Sequence, residues 1–159
     1  MPFNIKNGSL SGLDAPQGYG GISVNAGASG QTISTTYVQI TQFDTNDTSD
    51  AATTPDHTSD HITIVDAGDY MILGSFSFTG SNSAVYDVQA EKNNGATTIS
   101  NVHMERKMGT GTDIGNGGFN GIHTFAANDT LEAWVKADGA SKDFTLKDGT
   151  MSVIKLADA

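Results

Sequence analysis

The chain of 159 residues contains no cysteine, which removes disulfides, thiolate nucleophiles and zinc-thiolate sites together. Basic residues are scarce: eight Lys plus Arg stand against eighteen Asp plus Glu, for a formal net charge of −10. Neutralising phosphate is the main source of nucleic-acid affinity, so neither nucleic acid nor an anionic membrane is an expected partner. An acidic surface serves solubility, or steering toward a basic partner. No apolar run approaches the roughly 20 residues of a membrane span. The start MPFNIKNGSL has neither the basic region nor the apolar stretch of a secretory signal, so synthesis in the cytoplasm without export is expected. Strong helix formers are thin as well. Nineteen glycines among abundant Thr, Ser, Asn and Asp suit a turn-rich all-β fold.

What is present falls into two parts. Residues 1–31 hold seven glycines and only short apolar pieces; this segment is expected to be an extended N-terminal arm. Its apolar residues Phe3, Ile5, Leu10, Leu13, Tyr19 and Ile22 are the anchors available for docking onto a partner. Residues 32–159 are expected to form one domain, which at this length buries about 70% of its unfolded surface without metal or disulfide help. Short β-like runs follow one another: TTYVQIT (35–41), HITIV (61–65), DYMILGSFSF (69–78), AVYDVQAEK (84–92), TTISNVHME (97–105), GFNGIHTF (118–125), TLEAWVKA (130–137), DFTLK (143–147) and TMSVIKL (150–156). Turn signals separate them, among them Asn93-Asn94-Gly95, Asn128-Asp129 and Asp148-Gly149.

Some runs alternate cleanly, as Leu131, Ala133 and Val135 do against Thr130, Glu132 and Lys136. Three do not. The run 69–78 sets Tyr70, Ile72, Phe76 and Phe78 against Met71 and Leu73; 119–125 sets Phe119 and Phe125 against Ile122; 150–156 sets Met151 and Val153 against Ile154 and Leu156. An antiparallel sheet with two apolar faces must have both covered, and no helix is available here to do it. A second copy of the chain is the simplest cover.

The stretch ITIVDAGDYMILGSFSF resembles the central signature of C1q and tumour-necrosis-factor-like jelly rolls. QAEKNNG is similar to their strand ending in Lys-Asn-Gly, GIHTFAANDTLEAWVKA to their shared strand, turn and following strand, and FTLKDGTMSVIKL to their closing strand. Asn128 stands in place of the usual turn glycine, the closing strand lacks the common Phe-x-Gly form, and no collagen-like stalk precedes the domain. Bacteriophage decoration (cement) proteins and fibre-tip domains also use this fold, and the chain is most similar to that group. The resemblance implies an antiparallel jelly-roll sandwich forming a homotrimer. It further implies that Met71, Leu73 and Ser75 of the central strand, Asn120, Ile122 and Thr124 of the next, and Ile154 of the last face the three-fold axis.

Candidate chemistry is sparse. Seven aspartates from Asp44 to Asp69, with no Lys or Arg between, have the oxygen chemistry of a calcium site. DTNDTSDAATTP lacks the glycine at position six and glutamate at position twelve of an EF-hand loop, so a solvated, flexible acidic loop is expected and no metal. His57 and His61 flank a loop, and His103 and His123 lie elsewhere. The run Gly115 to Gly121 leads into a strand, where no helix N-terminus exists to bind an anion. No nucleophile elbow, zinc helix or phosphate loop occurs, so neither catalysis nor a cofactor is expected. Trp134, the only tryptophan, is expected under the arm or a neighbouring subunit. The functional expectation is a trimeric virion protein that stabilises a bacteriophage head from the capsid surface, with a major capsid protein or other virion protein as partner. The alternative is a receptor- or carbohydrate-binding fibre tip.

Overall fold

The computed structural model describes residues 18–25, 27 and 29–158. Twelve strands follow in chain order: β1 Tyr19–Val24, β2 Gln31–Ile33, β3 Val38–Gln39, β4 Thr45–Asn46, β5 Thr53–Asp56, β6 His61–Ile64, β7 Gly68–Gly80, β8 Val85–Lys92, β9 Thr97–Lys107, β10 Ile114–Phe125, β11 Thr130–Ala137 and β12 Lys142–Asp158. They make two antiparallel sheets of six strands. The first runs β10-β7-β12-β1-β4, with β2 also on β12; the second runs β5-β6-β11-β8-β9, with β3 also on β11. Alternation does the sorting: on β11, Leu131, Ala133 and Val135 point into the sandwich and Glu132, Trp134 and Lys136 point out.

Between the sheets lie the six largest fully buried rings, Tyr70, Tyr86, Phe76, Phe78, Phe125 and Phe144, with the isoleucines of both sheets. Each such side chain contributes about 1.5–3 kcal/mol of burial. Phe78 and Phe144 meet at 4.9 Å and Phe78 meets Tyr86 edge-on at 5.6 Å. The buried tyrosines keep their hydroxyls paired. Tyr70 donates to the Asp66 carbonyl at 2.8 Å, and Tyr86 donates to the Asp143 carbonyl.

Two expectations are corrected at the N-terminal side. The 1–31 arm does not extend to residue 31, because β1 pairs with β12 over six residues and with β4 on its other edge. Ile22 is fully buried in the core and is therefore no docking anchor, and Tyr19 belongs to the sheet as well. The sandwich begins no later than Tyr19. Phe3, Ile5, Leu10 and Leu13 lie outside the described residues.

The acidic segment, several of whose carboxylates are exposed as expected, is tied to the sandwich by hydrogen bonds. Its carboxylates accept local donors: Asp44 from Asn25 N at 2.9 Å, Asp47 from Ser23 Oγ at 2.7 Å, Asp50 from Tyr19 N at 3.2 Å and Ala52 N at 3.0 Å, and Asp60 from Phe43 N at 3.0 Å. Aspartate suits this work because its short carboxylate reaches backbone N–H groups that no ladder satisfies. The segment is a strap that fastens β1.

Candidate assembly face

The outer face of the first sheet is built by register. Met71 on β7 lies opposite Ile122 on β10 and Ile154 on β12, and Ile154 lies opposite Tyr19 on β1. Four apolar side chains thus form one row across four strands. Ile122 is 55% exposed and Tyr19 41%. The next row is Asn120, Leu73, Ser152 and Gly21, and the one after it Gly118, Ser75, Thr150 and Ser23. None of the residues in these three rows is charged, and the Asp47 carboxylate borders them at the β1 edge, beside Gly21 and Ser23. Beyond the apolar row the face turns polar, with Asp69 accepting a hydrogen bond from Thr124.

All seven residues expected at the axis are therefore on one face of one sheet, and the same register turns Tyr70, Ile72, Phe119 and Phe125 into the core. Tyr19, which was grouped with the arm, completes the apolar row. Its signal in the sequence was the alternation Tyr19, Gly21, Ser23 against Gly20, Ile22, Val24, masked by two glycines. A shallow groove of about 280 Å³ lies at this end, lined by Tyr19, Gly21, Asp47, Ser152 and Ile154 among others.

The glycine-dense run lies within β10 and has a packing role. A Cβ on Gly121 would meet Val102 Cγ2 at 2.5 Å, one on Gly115 would meet Met108 Sδ at 2.8 Å, and one on Gly117 would strike Met104 Sδ. These glycines make room for side chains of β9 and for Met108 just after it, where the two sheets close. Asn128, in the turn where the resemblance calls for glycine, takes a φ of 71°. That left-handed conformation is one asparagine tolerates.

The remaining candidates are dispersed. Among the described residues, no group of three or more His, Cys, Asp or Glu is placed to hold a metal ion. His57 Nδ1 sits 3.1 Å from Asn46 Oδ1. His123 packs edge-on against Phe125, and burial followed by the Lys92 charge holds its imidazole below the ordinary value, favouring the neutral ring. Trp134 is half-buried, with the turn at Gly95 over its ring. On the same outer face, Asp87 accepts from Tyr37 Oη at 2.6 Å, and Glu91 lies opposite Glu132.

The same architecture recurs in solved structures. Eiger TNF from S. frugiperda superposes with a TM-score of 0.64 at 13% identity, over 89% of this chain and 93% of that one. Murine APRIL, in a crystal structure at pH 5.0, gives 0.58 at 14% identity, over 87% of this chain and 98% of that one. The chain has a TNF-like jelly-roll fold. No protein-family model matches it, and no curated protein does.

Proposed function

We propose that this chain is a structural virion protein, a homotrimer that decorates and stabilises a bacteriophage head and acts by binding, not by catalysis. The observation that carries the assembly is the row Ile122, Met71, Ile154 and Tyr19 on an open sheet face. Hiding such side chains yields about 1.5–3 kcal/mol each when burial is complete. A closed ring of copies satisfies every such face at once, whereas an open chain leaves one at each end. The TNF-like fold supports a ring of three. The head location rests on the resemblance to phage decoration proteins, and residues Phe3, Ile5, Leu10 and Leu13 are the anchors left for the capsid once β1 is assigned to the sandwich.

Light scattering on the eluting protein tests the assembly. The full chain should show about three times its 16.5 kDa mass. Met71→Lys should give a monomer with unchanged far-ultraviolet dichroism, because an unpaired charge in a desolvated contact costs several kcal/mol while Met71 lies outside the core. A monomeric full chain at micromolar concentration would overturn the trimer. Co-sedimentation with capsids tests the location, and a trimer that ignores capsids and binds a purified receptor or glycan favours the fibre-tip reading.

A further inference from the structure

The end of the sandwich at which Gly18 and Asp158 lie carries a cavity that the assembly face does not use. Lys155 N donates to the Gly18 carbonyl at 2.7 Å, and past the register shift that follows Lys155 the strand pairs Asp158 with Gly68. Here opens a pocket of about 510 Å³, lined by Asp50, Ala52, Val65, Asp66, Lys155 and Asp158 among others. Ligand cavities are typically of this size, roughly 300–1,000 Å³. Val65 is 42% exposed on its wall, and Leu156, next to Lys155 in the chain, is 49% exposed.

Both donors and acceptors in this cavity are unspent. Lys155 follows Met151 and Val153 on the inward side of β12, so its stem ends the core and only 7% of the side chain is exposed. An ammonium has three donors. Lys155 spends one on Asp158 Oδ1 at 2.7 Å, and the other two have no partner among the described residues. The Asp66 carboxylate makes no hydrogen bond among the described residues, although the Asp66 carbonyl accepts from Tyr70. Asp50 uses Oδ1 for Tyr19 N and Ala52 N. Three carboxylates thus line the cavity against one ammonium.

A fitting ligand brings an acceptor for the buried ammonium and a cation for the surplus of carboxylates. Phosphate or a free carboxylate supplies the first and is repelled by the second. A basic residue within a polypeptide supplies both, a carbonyl oxygen and a charged side chain on one residue. We propose that this cavity binds a basic residue of a partner protein, its main-chain carbonyl accepting from Lys155 and its side-chain cation lying against Asp66. Arginine fits better than lysine, because its planar fork takes both oxygens of a carboxylate. Resting on the head reading above, the partner is the capsid protein: residues 1–17 join the sandwich at this end, so the anchors Phe3, Ile5, Leu10 and Leu13 and the cavity engage one surface.

The probe is the capped tripeptide acetyl-Gly-Arg-Gly-amide, titrated into the isotopically labelled full chain and followed by amide NMR. Shifts should concentrate at residues 50–52, 65–67 and 155–158 and saturate, while the norleucine counterpart leaves them unmoved. Propylguanidinium, which has the cation and no carbonyl, should bind several-fold more weakly than the tripeptide. Asp66→Asn, at an exposed position, should keep the melting temperature and weaken the tripeptide several-fold. Absence of localised shifts would overturn the site, and so would equal shifts at Asp44 and Asp56, which mean general attraction to acidic surface. Tighter tripeptide binding by Lys6→Gln would also overturn it, assigning the cavity to the chain's own Lys6. Co-sedimentation separates this inference from the head reading. Unmodified chain that takes the tripeptide here but ignores capsids removes the head reading and leaves the site standing; capsid binding undiminished by Asp66→Asn removes the docking role and leaves the head reading.

Discussion

At the scale of single residues, the missing side chains of β10 matter as much as the large ones. Gly118 and Gly117 are neighbours in sequence but face different obstacles. A Cβ on Gly118 would lie 2.5 Å from the Gly74 carbonyl oxygen, which is backbone, whereas one on Gly117 meets the thioether of Met104, a side chain with rotamers to spare. Gly118→Ala should therefore cost about 1–3 kcal/mol, the usual range for overpacking that forces a backbone shift, and Gly117→Ala visibly less. Denaturant titrations of the two variants would measure the difference. Equal costs would mean that β10 moves as a body and not residue by residue.

At the scale of elements, the strap and β1 set where the chain can be cut. Removing residues 1–17 leaves every described strand intact, so the shortened protein should fold, keep its assembly state and melt within a few degrees of the full chain, while losing the proposed capsid attachment. Removing residues 1–30 deletes β1, which lies between β12 and β4 and brings Ile22 and Val24 into the core. That form should fail to fold cooperatively, as dichroism melts would show. The two cuts also mark what was legible in the sequence. Six runs from HITIV to TLEAWVKA coincide with β6 to β11, because period-two alternation is local and survives any topology. DFTLK and TMSVIKL proved to be one strand: Asp148-Gly149, a turn by composition, lies in β12 beside a register shift between Leu146 and Asp148. A bulge and a turn share the same residues and differ only in what lies across the sheet. TTYVQIT gives just Val38–Gln39, and β5 passed unseen because Pro55 argues against a strand unless the strand is at an edge, where β5 is. β1 was obscured by Gly20 and Gly21, and its longer pairing is with β12, more than a hundred residues away. The residues of the outer face of the first sheet were legible because failed alternation is itself a local signal, whereas the Glu91/Glu132 pair required register.

At the scale of the whole molecule, net charge opposes assembly. Each copy carries −10, and bringing copies together concentrates that charge. Salt screens it over a Debye length of about 10 Å at 0.1 M and 3 Å at 1 M, while the apolar row gains from salting out if the anion is sulfate. The midpoint concentration for dissociation of the proposed trimer should therefore fall as sodium chloride rises from about 20 mM to about 500 mM, and fall further in sulfate; sedimentation velocity across a dilution series would show it. A trimer that dissociates as salt rises would assign the contact to ion pairs instead of the apolar face.

The placement of β12 reaches beyond the finished protein to its making. The last seventeen-residue strand lies at the heart of the first sheet, between β7 and β1, and also carries β2. A ribosome delivers it after every other described strand. Until Lys142–Asp158 clears the exit tunnel, β1 and β7 have no common neighbour. Non-local pairing of this kind makes folding slow and leaves unpaired strands exposed meanwhile. The nascent chain should thus remain sensitive to protease along most of its length and become resistant in a single late step, when β12 inserts between β1 and β7.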